Sequence, residues 1–127
     1  MARILVIDDE APIRNIIGLT LRKQSHEIIE APNGKVGIEC QRQNPADIVI
    51  TDIIMPEQDG IETIMNLRKA FPQTKIIAMS GGGRIGPGSY LEMAKKMGAH
   101  HVLEKPLDRK ELSAIIHKLL ESPSEGR

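Results

Sequence analysis

Six polar side chains stand where they could do chemistry together. Asp8 and Asp9 end the apolar run "ILVI", and Thr51 and Asp52 interrupt the run "IVI…IIM". Ser80 follows "IIAM", and Lys105 precedes Pro106. Adjacent carboxylates repel, and at ~4 Å in an effective dielectric near 20 the cost is about 4 kcal/mol. Carboxylates gathered from separate strands therefore need a counter-charge. A hard divalent cation such as Mg2+, which takes oxygen ligands in octahedral geometry, supplies one. A lysine, a compact point charge on a flexible stem, supplies another. Taken singly, each residue has a plainer use: an Asp pair after a strand is often a solvated turn or helix cap. The functional reading depends on whether the chain brings them to one place.

The elements that would do so are legible as alternation. Short apolar runs at Arg3–Ile7, Glu27–Glu30, Asp47–Thr51, Lys75–Met79 and His101–Leu103 read as strands. Helical spacing fills the intervals, with stripes at Ile13, Ile16, Ile17 and Leu21, at Ile61, Ile64, Met65 and Ala70, and at Leu112, Ile115, Ile116, Leu119 and Leu120. Capping boxes stand at Asp59-x-x-Glu62, Ser89-x-x-Glu92 and Asp108-x-x-Glu111, Pro12 suits a first helical turn, and Gly98 suits a helix stop. This is an α/β (βα)5 pattern, a doubly wound parallel sheet of five strands with helices on both faces. Strands 1, 3 and 4 are continuously apolar, as strands covered on both faces must be, whereas "EIIE" and "HHVL" suit edges. The strand order 2-1-3-4-5 satisfies that placement. Ligands of such sheets bind beyond the carboxyl ends of the strands, and all the polar residues above fall at that end.

Composition narrows the classes. The 127 residues suit one domain, expected to span 1–121 with a polar, frayed tail at 122–127, and no linker, repeat or output domain is legible. Lysines plus arginines equal aspartates plus glutamates at 17 each, which gives no basic face for nucleic acid. One Phe, one Tyr and no Trp argue against a surface that stacks on bases. The single Cys40 excludes an internal disulfide, and no apolar stretch is long enough to span a bilayer, so the expectation is a cytoplasmic protein. His100 and His101, taken as neighbours on a strand, would point to opposite faces and share no metal. His26 and His117 read as ordinary surface or rim residues.

The stretches "ILVIDDE", "DIVITDIIMPEQDGIE", "IIAMSGG" and "GAHHVLEKP", in this order from about residue 3 to 120, resemble the receiver domain of two-component response regulators. The resemblance implies that Asp52 accepts a phosphoryl group from a phosphohistidine on a sensor histidine kinase or a histidine phosphotransfer protein. It implies that Asp9 and Asp52, with the backbone carbonyl of Ile54, bind Mg2+ directly and that Asp8 acts through a water. Lys105 would pair with a phosphoryl oxygen, and Ser80 would donate to another and move toward it. Gly81 leaves the site open, and Lys105–Pro106 matches the family's cis peptide. Such a chain is a signalling module whose only chemistry is self-directed phosphotransfer and autodephosphorylation. The face of the fourth helix, fifth strand and fifth helix would present the switched state to an effector, as a monomer or a phosphorylation-dependent dimer.

Two stretches depart from the family pattern. The family places Tyr or Phe three residues before the lysine, and here that switch position is Val102, whose stiff χ1 offers no ring to reorient. In "SGGGRIGPGS", Gly81, Gly83 and Gly86, with Glu104 about twenty residues on, spell a dinucleotide-binding fingerprint. That fingerprint needs the helix to begin among the glycines, whereas Pro87 and Gly88 intervene before the cap at Ser89. The glycines instead suit a loop that rearranges on phosphorylation. An Asp-nucleophile phosphatase would need a second Asp two residues after the first, and Ile53 and Ile54 follow Asp52. An inert receiver-like adaptor would have lost an acidic-site residue, yet Asp8, Asp9, Asp52, Ser80 and Lys105 are all present.

Overall fold

In the computed structural model, which describes residues 2–53, 60–80, 92 and 94–121, five strands pair in parallel. They are Arg3–Ile7 (β1), Glu27–Ala31 (β2), Ile48–Asp52 (β3), Lys75–Ser80 (β4) and His101–Glu104 (β5), in the order β2-β1-β3-β4-β5. The continuously apolar strands are central and the mixed ones lie at the edges. The connecting helices are Ala11–Arg22 (α1), Gly34–Gln43 (α2), Gly60–Ala70 (α3), a segment helical at 94–97 (α4), and Arg109–Glu121 (α5). The glycine fingerprint from Gly81, the caps at Asp59 and Ser89, the Ile54 carbonyl and the 122–127 tail all lie outside the described residues.

Alternation along each strand divides the core into two layers. Ile4, Val6, Ile48, Ile50, Ile77 and Met79 pack with Ile17 and Leu21 of α1 and Leu112, Ile115 and Ile116 of α5. Leu5, Ile7, Val49, Ile76 and Ala78 pack on the other face with Ile61, Ile64 and Leu67 of α3 and with Ala94. The expected helix stripes were too wide. Ile16, Met65 and Leu120 are 39%, 50% and 40% exposed, and Ala70 is also exposed. A helix lying on a flat sheet touches it along a narrow line, so α1 buries the four-residue spacing Ile17–Leu21 and α3 uses Leu67 in place of Met65 and Ala70.

Local signals set the element ends. Pro12 lies in the first turn of α1. Asn33 Oδ1 accepts the Val36 N–H at 2.9 Å and starts α2, and Asp108 Oδ1 accepts the N–H groups of Lys110 and Glu111 at 2.8 and 3.2 Å. Gly98, at φ +125°, ends α4 in a conformation that side-chain-bearing residues avoid. The third strand runs one residue later than expected. Asp47 stands before it because its Oδ2 takes the Arg3 N–H at 2.9 Å, the role of a ladder carbonyl, while Asp52 stays paired opposite Met79. At the amino end of the sheet, fully buried Gln41 donates to Ala46 O at 3.2 Å and Thr74 Oγ1 at 2.9 Å, and its Oε1 accepts the Ala46 N–H at 2.9 Å.

Candidate functional site

The register pairs Ile7 of β1 with Thr51 of β3, which sets Asp8, one residue beyond its strand, level with Asp52, the last of its own. Both are buried, Asp8 completely and Asp52 with 4% exposure. Asp8 is held on every side. Its N–H donates to Ala31 O at 3.1 Å, and its carbonyl accepts from Arg14 Nη1 at 2.6 Å. Its Oδ1 accepts the Glu10 N–H at 2.8 Å, and its Oδ2 accepts from Lys105 Nζ at 2.8 Å. Asp9 and Glu10, by contrast, are exposed. The two adjacent aspartates therefore coexist by division: one is buried against a lysine and the other is solvated.

Lys105 reaches across the sheet. Its N–H donates to Ser80 O at 2.8 Å, extending the β4–β5 ladder beyond Glu104, and its peptide bond to Pro106 is cis, as the family resemblance implied. From there Nζ lies 2.8 Å from Asp8 Oδ2, 3.0 Å from Asp52 Oδ2 and 3.5 Å from Glu10 Oε2. Burial disfavours the ammonium, but hydrogen bonds and charge from Asp8 and Asp52 outweigh that, so Lys105 titrates above the usual lysine range. For Asp8 burial wins instead: despite the Lys105 and Glu10 hydrogen bonds, desolvation, with the Asp52 charge adding to it, holds the carboxyl above the usual aspartate range.

Carboxylate oxygens of Asp8, Asp9, Glu10 and Asp52 all lie within 4.8 Å of one another. Such a set of hard oxygen donors, with one buried lysine against it, fits a divalent cation of the Mg2+ class. Glu10 was not foreseen as a member; it joins because the chain turns at Asp8 into α1. Ser80 sits at the end of β4, nearly completely buried, and Thr51 spends its hydroxyl on the Asp52 carbonyl at 3.1 Å rather than on the crevice. Val102 pairs with Ala78 and packs, half-buried, against the core layer that contains α3, so an aliphatic side chain fills the position where the family resemblance implied a ring. Two histidines do more than the sequence suggested. His26 Nδ1 accepts the Ala2 N–H at 3.1 Å, so it is a structural acceptor rather than a rim residue. His100 lies just before β5, where its Nδ1 accepts the Ile76 N–H at 3.0 Å. Among the described residues no helix is long and apolar enough to cross a membrane.

Comparison with known proteins agrees with this geometry. Residues 4–117 match the Response regulator receiver domain family. The chemotaxis protein CheY of Thermotoga maritima is 32% identical over 92% of this chain and 96% of its own length. The DNA-binding transcriptional regulator NtrC of Azospirillum brasilense is 31% identical over 95% of this chain, which spans only 24% of that regulator. A response regulator receiver domain protein from Clostridium thermocellum superposes with a TM-score of 0.86 at 31% identity, covering 94% of both chains. With the match running along almost the whole folded length, and with the sheet order of the receiver-domain structures, this chain belongs to the response-regulator receiver domain family, whose general role in two-component signalling is to accept a phosphoryl group.

Proposed function

We propose that Asp52 is the phosphoacceptor, and that the chain is a cytoplasmic signalling module whose chemistry is confined to its own side chain. The observation that carries this is the Lys105 ammonium, within 3.0 Å of both Asp8 and Asp52 at the carboxyl end of the sheet. In the reaction, an Asp52 carboxylate oxygen bonds to the phosphorus of a phosphohistidine as the P–N bond breaks. The imidazole, protonated on its other nitrogen, leaves neutral. Positioning and charge neutralisation do nearly all the work in such a transfer. Asp9, Asp52 and the Ile54 carbonyl would hold Mg2+ directly, with Asp8 acting through a water. When bound, the cation supplies positive charge against the phosphoryl oxygens. Lys105 exchanges its Asp52 contact for a phosphoryl oxygen, and the Ser80 hydroxyl donates to another. Hydrolysis closes the cycle when water attacks phosphorus and the Asp52 carboxylate departs.

The donor is a sensor histidine kinase or a histidine phosphotransfer protein. The output is a shift in a two-state equilibrium presented to an effector on the face of α4, β5 and α5, by a monomer or a phosphorylation-dependent dimer, with no direct contact to nucleic acid. Because Val102 has no ring to turn inward, Ser80 carries the switch with whatever Val102 can transmit by packing. Intact mass after incubation with acetyl phosphate, with and without Mg2+, tests the assignment. A labile, Mg2+-dependent single phosphoryl adduct is expected in the wild type and none in Asp52→Ala. An adduct that survives Asp52→Ala overturns it. So does the absence of any adduct with both acetyl phosphate and a phosphohistidine donor, which would leave an inert adaptor.

A further inference from the structure

Asp8 makes four polar contacts, and three of them come from its own loop, its neighbouring strand or the lysine of the proposed site. The fourth comes from a residue outside that machinery. Arg14, one turn into α1, sends Nη1 to the Asp8 carbonyl at 2.6 Å while its Nε lies 3.2 Å from Glu30 Oε1 at the end of β2. The other Glu30 oxygen faces Arg22 Nη2, about two helical turns further along the same helix, at 3.5 Å. The Arg14 main chain is tied to the same loop, since its N–H donates to Glu10 O at 3.2 Å. Space for the arrangement comes from Gly18: a Cβ there would stand 2.9 Å from Arg22 Nη1.

An exposed arginine–glutamate pair contributes little to stability. This one is different in placement, because the Arg14 and Glu30 side chains retain only 18% and 28% of their exposure. A guanidinium is also a rigid fork, so gripping Glu30 with one edge fixes where the other edge meets the carbonyl. That carbonyl belongs to the residue whose side chain stands among the cluster oxygens. Moving it moves the Asp8 carboxylate and the start of the Asp9–Glu10 turn together.

We propose that Arg14, braced by Glu30, is a positioning residue for the divalent-cation site: it holds the loop of residues 8–10 in the geometry that gathers the carboxylates. This rests on the receiver-site reading above. It predicts that the cation site loses affinity when Arg14 is removed even though Arg14 touches neither the cation nor the phosphoryl group.

The test is isothermal titration of phosphate-free protein with Mg2+, at a temperature where thermal scans show every variant folded. With no Trp in the chain, calorimetry is a more direct readout than emission. Arg14→Met, which keeps the stem and deletes the guanidinium, is expected to raise the Mg2+ Kd about tenfold. Arg14→Lys should recover part of that, since an ammonium reaches Glu30 or the carbonyl but not both. Glu30→Gln should fall between, and Arg14→Met/Glu30→Gln should bind no worse than Arg14→Met alone. The 15N shift of the Asp9 amide, which shares the Asp8 peptide group, should move in the Mg2+-free Arg14→Met protein. A Kd within twofold of wild type in folded Arg14→Met, or fully additive effects in the double variant, overturns the proposal while leaving the site reading intact. If Arg14→Met does not fold, an unchanged Kd in both Arg14→Lys and Glu30→Gln overturns it equally. Failure of the wild type to bind Mg2+ overturns the site reading and this inference with it.

Discussion

The two ends of the sheet bury polar groups in opposite ways. At the amino end, Gln41 answers the N–H and C=O of Ala46 and the hydroxyl of Thr74 with its own amide, and every partner is neutral. At the carboxyl end, Asp8 and Asp52 face one ammonium, with Asp9 and Glu10 close by in solvent. A closed neutral network gains stability and offers nothing to a ligand. An acidic excess sacrifices stability and leaves something for a cation to do. The lesson is that burial of polar groups does not itself mark a site; unbalanced charge does.

Substitutions at each end should separate these roles. Lys105→Met leaves Asp8 and Asp52 buried without their cation and is expected to cost about 3 kcal/mol in Mg2+-free buffer. Urea denaturation should show much of that loss recovered by millimolar Mg2+; a loss indifferent to Mg2+ would mean the lysine and the metal do not share a site. Gln41→Leu leaves the Ala46 groups unanswered and should cost about 2 kcal/mol, with or without Mg2+. Its folded fraction should still accept phosphate from acetyl phosphate at the wild-type level, and a defect there would erase the contrast between the two ends.

Asp8→Asn should move the other way. A carboxyl whose folded pKa is raised loses stability as pH climbs from its unfolded value through the raised one, because burial disfavours the charged form. Removing that charge is expected to stabilise the Mg2+-free protein by about 1 kcal/mol while weakening Mg2+ binding. A destabilised Asp8→Asn would show that the Lys105 contact outweighs desolvation. The smallest effect lies at the amino end. Burial, then the positive N-terminus and His117, hold His26 below its usual pKa, and its Nδ1 must stay unprotonated to accept the Ala2 N–H. The unfolded chain thus takes up the proton first, and stability should decline as pH falls through 6.5 toward the lowered value. His26→Gln should flatten that decline in thermal melts between pH 7.5 and 5; an unchanged slope would assign it to His101, which is lowered in the same direction.

Much of the fold could be read directly because strand and helix periods are local. Runs such as "ILVI" and "IIAM" are apolar at every position only when both faces are covered, so they identified the central strands. Stripe width was less legible. Ile16 and Met65 are apolar and correctly spaced for a helix face, yet which members of a stripe meet the sheet depends on how the helix is rolled against it. At the site, Asp8, Asp52, Ser80 and Lys105 were legible as residue types at strand ends. Glu10 and Arg14 were not, because a glutamate at a helix N-cap and an arginine one turn further on are ordinary surface residues until the fold shows what they reach.

By itself, the sequence determined the strand and helix types, the central place of three strands, the end of the sheet that carries chemistry and the acidic character of that end. Tertiary structure alone decided which carboxylate is buried, that Lys105 bridges Asp8 and Asp52 across 97 and 53 residues of chain, and that Arg14 and Glu30 brace the loop between them. Periodicity is written in near neighbours and survives in one dimension. Contacts between residues far apart in sequence follow from strand register and crossover, and their energies exist only once the sheet has brought them together.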